Sequence, residues 1–175
     1  MIQNLLDANR IQVGEKIPLK IESVDLNVLI YETLDNFAPL FGDRFDFHSS
    51  DRIQGYWSAS GLMRILENLL NNAIKYGDPH GRITVEASVR ESTLELSVHN
   101  VGNPMSAEDI ESIFTPYKRS KSADRGAERG WGLGLTLVRG VSEAMGGSVD
   151  VKSDEKMGTV FRITLPVDSR EAYGV

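Results

Sequence analysis

The stretch Glu67-Asn68-Leu69-Leu70-Asn71-Asn72-Ala73-Ile74-Lys75-Tyr76 decides how this chain is read. Leu62, Ile65, Leu66, Leu69, Leu70, Ala73 and Ile74 recur at helical spacing, which predicts one amphipathic helix with a continuous apolar stripe. Asn68 and Asn72 stand four residues apart and so project within about 40° of each other. Lys75 and Tyr76 carry that face one turn further. Amide oxygens suit Mg²⁺, which is held by few protein groups together with water and phosphate oxygens, and an ammonium suits phosphate charge. An isolated Asn pair, by contrast, more often caps neighbouring backbone, so the rest of the chain has to supply a context.

Two glycine turns supply it. Asn100-Val101-Gly102-Asn103-Pro104 follows the alternating run Thr93 to His99. Gly102 lets the chain turn with its backbone close to a flat ligand, and the side-chain oxygen of Asn100 can accept the exocyclic amine of adenine. Gly130-Trp131-Gly132-Leu133-Gly134-Leu135 opens a helix expected over Leu133 to Met145, whose first N–H groups suit phosphate. These glycines lack the Gly-Lys-Ser/Thr ending of a P-loop, and no strand directly precedes them as a dinucleotide fingerprint requires. Thr115 to Arg129 stands there instead. It has almost no apolar residue, and Lys118, Arg119, Lys121, Arg125 and Arg129 outnumber Asp124 and Glu128, which predicts a mobile, locally positive loop.

Around these blocks the pattern alternates between helices and hairpins. Asp25 is placed to cap a helix from Leu26 to about Leu40, ended by Pro39 and Gly42; Pro18 to Ser23 before it reads as extended. Arg44 to His48 and Ile53 to Trp57 alternate as strands, and Ser58 or Ser60 caps the Asn-bearing helix. Arg82 to Arg90 and Thr93 to His99 form a hairpin about Glu91-Ser92, Ser106 caps a short helix to Ile113, and Ser148 to Ser153 pairs with Thr159 to Leu165. Ile2, Leu5, Leu6, Ile11 and Val13 share a helical face up to Gly14, as the tail of a longer helical element or as a helix lying on the domain. With no βαβ rhythm, the expected fold is α+β: a two-layer α/β sandwich, its mixed, mostly antiparallel sheet of about five strands packed on about three helices.

Composition narrows the function. At 175 residues and 41% hydrophobic content the chain fits one domain with a real core. A net charge of -6 and a pI near 5.1 argue against nucleic acid as a partner. There is no Cys, three His are scattered, and runs such as Val28 to Ile30 are far too short to span a bilayer. The expectation is a cytoplasmic chain without direct membrane contact, monomeric in isolation, or a soluble piece of a larger protein.

Taken together the blocks resemble the ATP-binding catalytic domain of sensor histidine kinases, over roughly Pro18 to Pro166. That domain is a branch of the ATPase group that includes gyrase, the mismatch-repair ATPase and a heat-shock chaperone, with the Bergerat ATP-binding fold. The resemblance implies ATP and Mg²⁺ as cofactors, Asn72 as the Mg²⁺ ligand, and Asn68, Lys75 and Tyr76 near the phosphates and nucleotide. It assigns catalysis to Asn68, Asn72, Lys75 and Arg119. Asn100, Gly102 and Thr159 fall to the adenine side, Met105 to the nucleotide-binding residues, and Gly130, Trp131, Gly132, Leu133, Gly134 and Leu135 to the second glycine box. Phe114-Thr115-Pro116-Tyr117 matches the F box, and Thr115 to Arg129 the ATP lid, with Arg119 or Lys118 at the γ-phosphate. The chain departs from the pattern at Asn100, where the family has Asp, and at Pro104, where it has a second Gly. Asn100 keeps an acceptor oxygen, while Pro104 removes an N–H and stiffens the turn.

Hydrolytic members of the group resemble one another in using Glu as a base at the position of Asn68. Asn68 cannot remove a proton, and neighbouring Glu67 is turned away by about 100°, which favours phosphoryl transfer to a partner. The resemblance implies that this partner is a histidine-containing dimerisation domain, with a response regulator downstream. His48 and His99 lie in expected strands and His80 follows Pro79 in a turn, so none fits the acceptor. Residues 1–14, with Leu5-Leu6-Asp7, resemble the end of that domain's second helix, and residues 15–175 the ATP-binding catalytic domain. Two other readings stay open: a serine/threonine kinase of the anti-sigma-factor type, and a nucleotide-binding interaction module without catalysis.

Overall fold

Two sheets and a helical layer organise the chain in its computed structural model, which describes residues 7, 10, 11, 15, 17–115 and 133–175. In chain order the elements are β1 (Glu22–Asp25), α1 (Leu26–Phe41), β2 (Phe45–Ser49), β3 (Gln54–Trp57), α2 (Ala59–Tyr76), β4 (Ile83–Arg90) and β5 (Thr93–Asn100). They continue with α3 (Ala107–Ser112), α4 (Gly134–Ala144), β6 (Ser148–Asp154), β7 (Gly158–Pro166) and α5 (Arg170–Tyr173). The main sheet has the order β2-β4-β5-β7-β6 and is antiparallel except for the β2–β4 pair. This is the two-layer sandwich expected from the sequence.

Alternation sorts the sheet into two faces. Ile83, Val85 and Ala87 of β4, Leu94, Leu96 and Val98 of β5, and Phe161, Ile163 and Leu165 of β7 are buried towards the helices. Glu86, Ser97 and Arg162 alternate with them and share one row across the opposite face. The helical layer answers with Leu62, Ile65, Leu66, Leu69 and Leu70 of α2 and Leu137, Val138 and Val141 of α4, all essentially inaccessible. Each such side chain contributes about 1.5–3 kcal/mol on leaving water. Trp57 is completely buried, and its indole N–H donates to Pro166 O at 2.7 Å, which satisfies its polar edge.

Caps fix the helix starts. Asp25 accepts from the Val28 N–H, Ser58 from the Gly61 N–H and Ser106 from the Asp109 N–H. Ser58, and not Ser60, is therefore the cap of α2. The β4–β5 turn is tight because Glu91 and Ser92 both adopt positive φ, 48° and 64°, which matches the twist of the strands it joins.

Two features differ from the sequence expectation. Pro39 does not end α1, which runs on to Phe41: the lost N–H falls in the last turn, and the Gly42 N–H still bonds Ala38 O at 2.9 Å. The segment expected as extended to Ser23 places its strand at Glu22–Asp25 and pairs it antiparallel with β3, Glu22 opposite Trp57, in a separate small sheet. Of the N-terminal segment, residues 7, 10 and 11 are helical, Asp7 is buried against Arg64 at 2.6 Å, and Ile11 packs on the core. Its remaining positions lie outside the described residues.

Candidate functional site

The polar edge of α2 borders its apolar stripe. Asn68, Asn72 and Lys75 are half-buried there, while Glu67 and Asn71 point to solvent. The Asn68 Nδ2 donates to Arg64 O, one turn back, at 2.7 Å. That bond uses one end of the amide as a backbone cap and fixes the direction of the other. Oδ1 then faces the start of α4, where a Cβ added to Gly134 would stand 2.6 Å from it. The second glycine block and the Asn-bearing helix thus meet at Asn68 and Gly134.

Among the described residues no side chain caps the first N–H groups of helix α4, and the positive end of its dipole suits an anion. Leu133 and Leu135 turn their side chains into the interior, which leaves their backbone as the part a ligand could meet. Thr136, also buried, donates from Oγ1 to Phe114 O at 3.3 Å, and the Phe114 ring stacks edge-on to Phe161 with centroids 6.5 Å apart. The beginning of the F box is thereby fastened to α4. At the other end of α2, Lys75 Nζ sits 5.3 Å from the centroid of the half-exposed Tyr76 ring.

The residues expected on the adenine side gather at the end of β5. Asn100 is buried and lies opposite Thr159 in the β5–β7 register. Its Nδ2 donates to Val101 O at 3.2 Å. Gly102 has φ +154°, and a Cβ on it would stand 3.0 Å from Gly77 Cα and 3.1 Å from Asp78 N. The close approach that needs glycine there is to the turn ending α2. Thr159 shares a 2.7 Å hydroxyl contact with Ser153 on β6, and Ser153 Oγ accepts the Met105 N–H at 2.9 Å. Sequence reasoning missed Ser153; its signal is the strand pairing that sets it opposite Thr159, which only the register reveals.

Lys118, Arg119, Gly130, Trp131 and Gly132, with Pro116 and Tyr117 of the F box, lie outside the described residues. Among the described residues no group of three or more His, Cys, Asp or Glu could hold a metal ion; the amide oxygens of Asn68 and Asn72 are the donors α2 offers on this edge. This set suits a hard cation shared with phosphate oxygens. Elsewhere, the Asp46, Asp25 and Asp168 carboxyls are held below their ordinary values first by hydrogen bonds from Arg82, Arg52 and Arg170. A cleft of about 530 Å³ also opens away from these residues, lined by Tyr31, Phe47, His48, Glu86, Glu95 and Arg162 among others. It contains none of the site residues expected from the sequence.

Comparison with known proteins gives consistent matches. The family described as histidine kinase-, DNA gyrase B- and HSP90-like ATPase matches residues 58–169. The sensor histidine kinase ZraS of Escherichia coli K12 is 33% identical over 154 residues, covering 86% of this chain and 32% of ZraS. The catalytic domain of histidine kinase ThkA superposes with a TM-score of 0.75 at 25% identity, covering 87% of this chain and 99% of that domain. ThkA solved in complex with the response regulator TrrA shares the fold, with a TM-score of 0.75 at 22% identity over 97% of this chain and 49% of ThkA. The chain spans between 21% and 35% of the length of the first curated relatives it matches.

Proposed function

Because the chain belongs to the histidine kinase-, DNA gyrase B- and HSP90-like ATPase family, we propose that it binds ATP with Mg²⁺ and donates the γ-phosphate to a histidine on a dimerisation domain. The observation that carries this reading is the Asn68–Gly134 junction. It sets an amide, which cannot act as a base, beside the N-terminus of α4, so Asn68 can border a phosphate without activating water.

The roles follow from chemistry. Asn72 offers its amide oxygen as the Mg²⁺ ligand, and Asn68 orients from the same helix face. Lys75 balances phosphate charge, and the first N–H groups of α4 donate to phosphate oxygens. Mg²⁺, when bound, would neutralise charge on the phosphates. Asn100 orients the base by accepting from its exocyclic amine, with Gly102, Met105 and Thr159 around it. Arg119 or Lys118 meets the γ-phosphate from the lid. The protein's contribution is positioning and electrostatics, and the nucleophilic imidazole comes from a partner.

Residues 1–14 are proposed as the end of that partner domain's second helix. By analogy with ThkA and TrrA, a response regulator receives the phosphate next. Among the described residues no helix is long and apolar enough to cross a membrane.

The test is calorimetric binding of ATP to the wild type and to Asn72→Ala, with and without Mg²⁺, followed by transfer from labelled ATP to a supplied dimerisation domain. Mg²⁺-dependent binding that disappears in Asn72→Ala, and a labelled product lost in mild acid, support a phosphohistidine. Acid-stable label points to a hydroxyl acceptor instead. Binding without transfer, while a control kinase works, overturns the proposal.

A further inference from the structure

One side chain holds the turn that ends α2 from outside the site. Arg44, just before β2, donates from Nη2 to Asp78 O at 2.6 Å, from Nη1 to Pro79 O at 2.9 Å and from Nε to Gly81 O at 3.0 Å. Its own backbone is fixed as well: its N–H donates to Gly42 O at 3.0 Å and its carbonyl accepts from the Ile83 N–H at 2.8 Å. Three carbonyls are thus met by one rigid, planar fork of donors, an arrangement that a lysine ammonium cannot reproduce.

The clamped turn lies against the adenine-side residues. The Asp78 N–H donates to Val101 O at 2.8 Å, the same carbonyl that takes the Asn100 Nδ2. A Cβ on Gly81 would stand 2.5 Å from Val101 Cγ2, and one on Gly102 would stand 3.0 Å from Gly77 Cα. Any shift of residues 77–81 therefore moves the backbone that orients the Asn100 amide.

We propose that Arg44 is a positioning residue for the nucleotide base. By fixing the turn over residues 78–81 it sets the orientation of Asn100, and with it the affinity for adenine and the preference for adenine over guanine, without touching the nucleotide. The inference rests on the ATP-binding reading above. Arg82 provides an internal control: it is close in sequence and forms a bidentate pair with Asp46, but its guanidinium bonds, including one to Asp43 O, do not reach the turn.

The experiment measures calorimetric affinities for ATP·Mg and GTP·Mg in the wild type, Arg44→Ala, Arg44→Lys and Arg82→Ala, together with amide exchange at Asp78 in the nucleotide-free chain. Arg44→Ala is expected to weaken ATP·Mg binding about tenfold, GTP·Mg binding less, and Arg44→Lys to recover only a minor part. Arg82→Ala stays within about twofold of the wild type, and exchange at Asp78 accelerates only when Arg44 is changed. Should Arg44→Ala not fold, Arg44→Lys alone carries the comparison. Wild-type ATP affinity and ATP-over-GTP ratio in the Arg44 variants, or an equal loss in Arg82→Ala, overturns the role of Arg44. A wild-type chain that fails to bind ATP·Mg overturns the nucleotide reading itself, and this inference with it.

Discussion

Gly134 and Asn68 are matched across the α2–α4 junction: a Cβ on the glycine would lie 2.6 Å from the Asn68 Oδ1, while Nδ2 of the same amide is tied to Arg64 O. The amide cannot swing away without breaking the Arg64 bond. Gly134→Ala therefore perturbs Asn68 before it perturbs the fold. Alanine favours helix by up to about 1 kcal/mol over glycine, which roughly offsets the strained Arg64 bond, so thermal stability should change little. ATP·Mg affinity should fall about tenfold. Melting curves and calorimetry on the same sample separate the two effects, and unchanged affinity would remove Asn68 from the site.

The cap of α2 makes a prediction of the opposite kind. Ser58 is buried and its Oγ accepts the Gly61 N–H, whereas Ser60 only places its hydroxyl 3.2 Å from that of Ser58. Ser58→Ala should cost about 1 kcal/mol in a urea melt, and Ser60→Ala no more than about 0.5 kcal/mol. Neither change reaches Asn68, more than two turns along the helix, so both should bind ATP·Mg like the wild type. A larger loss in Ser60→Ala would reverse the cap assignment.

That the cap was open between Ser58 and Ser60 in the sequence shows where local pattern stops. The apolar stripe of α2 and its Asn68, Asn72 and Lys75 edge are legible because helical period alone decides which residues share a face. The main-sheet strands are legible from alternation, and so is Asn100 at the end of β5. Position across long separations is not. The three carbonyls under Arg44 lie 34 to 37 residues away, and although Ile53 to Trp57 alternates as a strand, nothing local tells that it pairs with Glu22–Asp25. Pro39 reads as a stop because the rule concerns its missing N–H and the crowding of its ring; in the last turn of α1 the bond from Gly42 carries the helix past it.

The acid limb of stability follows from three exposed pairs. Hydrogen bonds from Arg52, Arg82 and Arg170 lower the Asp25, Asp46 and Asp168 carboxyls from the ordinary value of 3.8. A carboxyl depressed on folding contributes stability above its unfolded pKa and loses that contribution as pH falls through the folded one. The urea midpoint should therefore hold above about pH 5 and decline below about pH 4. In the triple variant Asp25→Asn, Asp46→Asn, Asp168→Asn, the midpoint should be lower near neutrality and the decline shallower; Asn retains a capping oxygen at position 25, so the difference reports charge. Added salt should shrink the gap between the two proteins, because these pairs face solvent. Parallel pH profiles would remove the three pairs as its cause.

Ser153 links three segments that meet only in the folded chain. It stands opposite Thr159 in the β6–β7 ladder, shares a 2.7 Å hydroxyl contact with it, and accepts the N–H of Met105 beyond β5. Thr159 is buried, so Ser153→Ala deprives its hydroxyl of a partner and frees the Met105 N–H at the same time. A buried polar group left unpaired costs about 1–3 kcal/mol, and the urea midpoint should fall accordingly. Because Met105 and Thr159 flank Asn100, ATP·Mg affinity should fall with it. Ser153→Thr, which keeps the oxygen, should restore both quantities in large part. If Ser153→Ala loses stability but binds ATP·Mg as the wild type does, the hydroxyl relay supports the sheet alone and the adenine side is set by Asn100 and its turn.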